Sequence, residues 1–185
     1  RSKPVGLVHF AVAARDGRIS HREQRFGAIG RSNVRQRSVV EALRFYKLDA
    51  SRDLLVVVDD IALPCGSIRV RSEGSAGGHN GLADIEVKLG THKYARCRIG
   101  VDAPGRIPQK DYVLGRFRED QQPLVDEAIG LACEAAECQR LVKGYGETHS
   151  RGVRNFAALM AEVDAGRANA ARLRALRDAA LADEG

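Results

Sequence analysis

Leu54-Leu55-Val56-Val57-Val58-Asp59-Asp60 and, further along, Gly74-Ser75-Ala76-Gly77-Gly78-His79-Asn80-Gly81 are the two stretches that decide how this chain folds. Five consecutive apolar residues, three of them valine, predict a strand buried on both faces, as in a parallel sheet covered by helices. Asp59 and Asp60 then fall at its C-terminal end, the edge where open α/β sheets bind ligands. Four glycines in the eight residues of the second stretch let the backbone approach a ligand closely. Ser75, His79 and Asn80 sit among them. Acid, amide and imidazole are thus brought to strand ends and a loop.

The flanking sequence follows the same pattern. Ser67 to Arg71 alternates strictly, which turns Ile68 and Val70 inward and Arg69 and Arg71 outward on one face. Asn80-Gly81 opens a helix through Leu82, Ile85, Val87 and Leu89, ended by Gly90. Tyr94 to Val101 is a strand in which Arg96 and Arg98 alternate with Cys97 and Ile99. A loop with Pro104, Gly105 and Pro108 leads to the compact segment Asp111 to Phe117. Upstream, Ser38 to Tyr46 reads as an amphipathic helix with Val39, Val40, Leu43 and Tyr46 on its apolar face. Downstream, Pro123 to Val142 is helical by its three-to-four spacing, with Asp126-Glu127 in the first turn. Ala157 to Ala182 is built of strong helix formers with sparse leucines, the composition of an exposed extension or a docking arm. Near the N-terminus, Val5 to Val12 and Arg25 to Gly30 read as strands, with Asp16-Gly17 as a turn.

These elements predict an α/β single domain, a sheet covered by helices, over residues 1–156, of which 1–32 are the least legible part, and a helical extension over 157–185. With 185 residues the chain is long enough for a real core. Its net charge of +6 and pI of about 9.4 favour anionic partners, nucleic acid above all. Cys65, Cys97, Cys133 and Cys138 form no C-x-x-C pair, which argues against zinc, and they read as reduced thiols. No metal or other cofactor is called for. No run approaches the ~18 apolar residues that span a bilayer, so no membrane partner is expected. The chain begins at Arg1. Removal of a presequence would explain that, and so would residues that precede Arg1 and lie outside this sequence; an intracellular place, in the mitochondrion, another organelle or the cytoplasm, is the expectation.

Val58-Asp59-Asp60-Ile61-Ala62-Leu63-Pro64, Gly74 to Gly81, Arg96-Cys97-Arg98-Ile99-Gly100 and Asp111-Tyr112-Val113-Leu114-Gly115, in this order and spacing, resemble the bacterial-type peptidyl-tRNA hydrolases and the chloroplast splicing factors related to them. The likeness covers about two thirds of the chain, extending more weakly to Asn33 and to Asn155-Phe156. It implies a twisted mixed sheet with helices on both sides, and metal-independent hydrolysis of the ester between a nascent peptide and tRNA. By the resemblance, Asp59 matches the acid that orients a catalytic histidine. Asn80 matches the loop asparagine that contacts the peptide and helps position the water. Asn33 matches the asparagine near the scissile ester, and Arg71 with Arg98 the pair that clamps the tRNA 5′ phosphate. These residue types suit the chemistry: ester hydrolysis needs a base and donors aimed at the developing oxyanion, and guanidinium binds phosphate bidentately.

The resemblance fails at the N-terminus. No Asn-Pro-Gly turn follows the first strand, no Arg-His-Asn occurs in the chain, and Ala62 stands where the family has an acid. His9 and His21 are the candidates for the base, but both lie too close to Asn33 for the family spacing. His79 reads as a residue that hydrogen-bonds within its own loop. Two functions follow. One is a catalytically degenerate, RNA-binding relative acting on tRNA or rRNA in organellar translation or ribosome assembly, with the C-terminal helix docking on a ribosomal subunit or assembly protein. The alternative is an active peptidyl-tRNA hydrolase whose histidine is His9, His21 or one in a segment outside this sequence.

Overall fold

Arg69 and Arg98 face each other across an antiparallel strand pair, around which half of the fold is built. In the computed structural model, residues 7–13 and 19–183 are described. The chain divides into two compact units, Arg1–Leu54 with Ser72–Ala95 and Leu55–Arg71 with Arg96–Gly185.

The first unit holds a two-stranded antiparallel sheet of β1 (Leu7–Ala13) and β2 (Ile19–Arg25). The second strand therefore lies earlier than the expected Arg25–Gly30, of which only Arg25 is in a strand and the rest is irregular chain with a bend at Ala28–Ile29. Val5 and Gly6, like the Asp16-Gly17 turn, lie outside the described residues. Helix α1 (Arg31–Tyr46) begins seven residues before the expected Ser38 and ends at Lys47, in the left-handed region at φ 53°. A one-turn helix, α2 (Ala50–Asp53), follows, with Asp49 as its cap. Helix α3 (Asn80–Leu89) has the predicted bounds, with Gly90 at φ 67° closing it. It packs against α1 and buries Leu82 and Ile85, whereas Val87 is 77% exposed.

The second unit contains a mixed three-stranded sheet in the order β3 (Leu55–Asp60), β5 (Ala95–Gly100), β4 (Ile68–Arg71). The α/β class and the sheet flanked by helices are as expected. Burial of β3 on both faces is not, because β3 ends the sheet and Val57 is 52% exposed. A short helix α4 (Gln109–Val113) leads to α5 (Gln122–Glu137), a 3₁₀ turn (Cys138–Leu141), α6 (Gly146–Asp164) and α7 (Ala170–Ala182). Because α5 starts at Gln122, Asp126 falls beyond its first turn. Leu124, expected on the apolar face, is 46% exposed.

Helices α5 and α6 pack against β4, and α7 packs against α5. Ile68, Cys97, Leu131, Leu141, Leu159, Met160, Val163 and Leu173 form one core. The boundary expected at residue 156 lies inside α6, and the expected continuous arm from 157 to 182 is broken. Gly166, at φ 67°, stops the first helix, and the Asn169 side chain accepts from the Arg172 amide to start the next. Leu159, Met160, Val163 and Leu173 are buried, so both helices belong to the core of this unit. Among the described residues no helix is long and apolar enough to cross a membrane.

Candidate active site

At the C-terminal end of β3, the two aspartates diverge because neighbours along a strand point to opposite faces. Asp60 turns to Arg98, whose Nη1 donates to Oδ2 at 3.1 Å. Both side chains are mostly buried, at 11% and 14% exposure. Asp59 is exposed and contributes to a cavity of about 290 Å³ lined also by Val101, Ile107, Tyr112, Phe117, Arg118 and Gln121.

The walls of this cavity are fixed by a hydrogen-bonded junction. Asp102 accepts from the Cys65 amide at 2.8 Å and from Gln121 Nε2 at 3.2 Å. Tyr112 donates its hydroxyl to the Val101 carbonyl at 2.5 Å. The end of β5, the Leu63–Gly66 turn, α4 and the start of α5 are thereby tied together. Gln121 is 3% exposed. Asp102 and Gln121 were not expected from the sequence. One sequence signal marks Asp102: it precedes the Pro104-Gly105 turn. In the structure it holds φ 65°, a conformation that aspartate tolerates better than most residues.

Arg71 and Arg98 lie on neighbouring strands. The register pairs Arg71 with Arg96 and Arg69 with Arg98, so the side chains of all four share one face. Arg71 Nη1 is bonded to the Asp164 carboxylate of α6 and donates to the Val70 carbonyl at 2.8 Å. Arg96 is buried at 2% exposure.

The remaining sequence-derived residues lie in the first unit. Asn80 is the first residue of α3 and is exposed; its side chain has no hydrogen-bond partner among the described residues. The preceding His79 caps this helix, its Nδ1 accepting from the Leu82 amide at 3.1 Å, as expected of a loop residue. Gly77 and Gly78 hold φ of 57° and 82°, the region that favours glycine. Asn33 lies in the first turn of α1, where its Nδ2 donates to the Ile29 carbonyl at 2.8 Å. His9 and His21 are placed on β1 and β2, opposite Glu23 and Ala11 in register; their side chains lie outside the described residues. Among the described residues no histidine lines the cavity beside Asp59.

The family model of peptidyl-tRNA hydrolase matches residues 32–157, a span that includes Asn33, Asp59, Arg71, Asn80 and Arg98. This chain belongs to the peptidyl-tRNA hydrolase family. The peptidyl-tRNA hydrolase of Chloroflexus aurantiacus is 41% identical over 106 residues, which are 57% of this chain and 56% of that protein. That of Halalkalibacterium halodurans is 47% identical over 102 residues, 54% of each chain. The chain spans about half the length of the curated relatives it matches. Among solved structures, the peptidyl-tRNA hydrolase of Acinetobacter baumannii superposes with a TM-score of 0.57 at 25% identity, covering 86% of this chain and 73% of that one. A peptidyl-tRNA hydrolase solved with N-propanol gives a TM-score of 0.58 at 24% identity, a likeness of fold.

Proposed function

We propose that this chain is a peptidyl-tRNA hydrolase that cleaves the ester between a nascent peptide and tRNA. This was the alternative reading of the sequence. The observation that carries it is the family match over residues 32–157, reinforced by relatives of that name at 41% and 47% identity. In this reading Arg71 and Arg98 bind the tRNA 5′ phosphate, exchanging their present carboxylate partners for it. Asn80 donates to the peptide and the attacking water. Asp59 orients the base that takes the proton from that water. Water adds to the ester carbonyl, the tetrahedral intermediate collapses, and the tRNA 3′ oxygen leaves with a proton. The candidates for the base are His9 and His21, and Asn33 would act near the scissile ester only by giving up its bond to Ile29.

The test is cleavage of a purified peptidyl-tRNA by the full chain and by Asp59→Ala. Turnover that falls on the order of 10³-fold in the variant supports the proposal. A wild-type chain without turnover sinks it.

A second reading, retention of tRNA without hydrolysis, is favoured by one observation: the described residues that line the cavity beside Asp59, Tyr112, Arg118 and Gln121 with apolar side chains, include no histidine. Here the phosphate-binding arginines act alone, in translation or ribosome assembly, and a mitochondrial or other organellar place would belong to this reading. Salt-sensitive binding of tRNA without turnover would select it.

A further inference from the structure

Arg69 differs from the three arginines that share its face of β4 and β5. Arg71 is held by the Asp164 carboxylate and Arg98 by Asp60, while Arg96 is buried. Arg69 is exposed and has neither a carboxylate nor a hydrogen-bond partner among the described residues. The register sets it directly opposite Arg98. The other face, with Ile68, Val70, Cys97 and Ile99, is closed by the core, so Arg69 shares the face of Arg71, Arg96 and Arg98. An exposed cation that no carboxylate among the described residues neutralises, set beside further guanidinium groups, suits a polyanion. Its position beside the Arg71 and Arg98 pair shows where on that polyanion it would act.

We propose that Arg69 is a third phosphate-binding cation, contacting a backbone phosphate of tRNA next to the terminal phosphate assigned above to Arg71 and Arg98. The inference rests on the tRNA reading of the site and adds a contact that does not depend on the 5′ end. Arg69 is thus a substrate-binding residue whose effect is uniform across tRNAs, whereas the other two sense the terminal phosphate.

The experiment measures the affinity of the full chain for tRNA with and without its 5′ phosphate over a range of salt concentrations, for wild type, Arg69→Gln, Arg69→Lys and Arg71→Gln. Arg69→Gln is expected to weaken binding of both tRNAs by the same factor, about fivefold to tenfold at low salt. It should also lower the slope of log affinity against log salt by about one. Arg69→Lys, which keeps the charge, should restore the slope and most of the affinity, and Arg71→Gln should lose affinity only for the phosphorylated tRNA. If Arg69→Gln binds like wild type while Arg71→Gln does not, the inference is overturned and the tRNA reading stands. A loss in Arg69→Gln that disappears on dephosphorylated tRNA also overturns it. Wild-type protein with no salt-dependent affinity for tRNA removes the tRNA reading, and this inference falls with it.

Discussion

Arg98 and Asp60, 38 residues apart in sequence, form a mostly buried ion pair with Nη1 and Oδ2 at 3.1 Å. The pair joins the middle strand of the sheet to the end of β3, where Asp60 also accepts from the Ala62 amide at 2.9 Å. Removing one partner of a buried pair leaves the other charge uncompensated. Asp60→Ala is therefore expected to cost about 3 kcal/mol of stability, measured by urea unfolding. A loss below about 0.5 kcal/mol would place this pair with exposed ones, which contribute that little.

Glu134 of α5 joins α7 in the same way. It accepts from Arg174 Nε at 2.9 Å and from Arg177 Nη1 at 2.6 Å, and its side chain is 10% exposed. The hydrogen bond from Arg174, together with the charges of both arginines, holds its carboxyl below the usual range. A depressed carboxylate contributes stability that is present above its unfolded value, near pH 4.3. That stability is lost as the pH falls through the lower folded value. Wild type should thus lose stability below about pH 4.5, and Glu134→Gln should lose less over the same interval. Parallel melting curves between pH 3 and 7 check this; identical slopes would contradict it.

The cysteines give an independent reading of burial. Burial pushes the thiols of Cys97 and Cys138 up to about 11, while Cys133 is exposed. At neutral pH a maleimide should label Cys133 first, Cys65 more slowly, and Cys97 and Cys138 only after denaturation. Unfolded thiols ionise near pH 8.5, below the folded values, so the unfolded state gains thiolate first. Stability should decline as the pH rises past about 9. Mass spectrometry of labelled peptides decides it, and early labelling of Cys97 would contradict the core described above.

Two glycines in helices should behave oppositely. A Cβ at Gly152 would lie 2.1 Å from the Leu141 carbonyl oxygen, whereas one at Gly130 would meet only Ala170 Cβ, at 3.7 Å. Gly152→Ala is expected to destabilise by about 3 kcal/mol or more, since backbone must shift. Gly130→Ala should stabilise by about 0.5–1 kcal/mol through helix propensity. Thermal melting of both variants tests the packing of α6 on the 3₁₀ turn.

How much of this was legible in the sequence depended on the range of the interaction. The bounds of α3 were legible because Asn80 and Gly90 act on their own backbone, as was the alternation of β4, a property of adjacent residues. The start of α1 was missed because Arg31 to Arg37 carries no apolar periodicity to mark it. The break between α6 and α7 was missed because Gly166 and Asn169 stand in a run of strong helix formers whose composition outweighed two capping residues. The apolar run through Val57 reads as buried, yet Val57 is 52% exposed, because burial depends on what covers a face.

The sequence by itself determined the family, through Asp59-Asp60, the glycine loop and the arginine-bearing strand, since order and spacing are properties of the chain. It also determined which arginines share a strand face. Tertiary structure alone decided their partners: Asp164 reaches Arg71 across 93 residues, and Asp60 reaches Arg98 across 38. Tertiary structure likewise decided that the C-terminal helices close the core. Partner choice and burial are set by distances between segments remote in sequence, which no local pattern encodes.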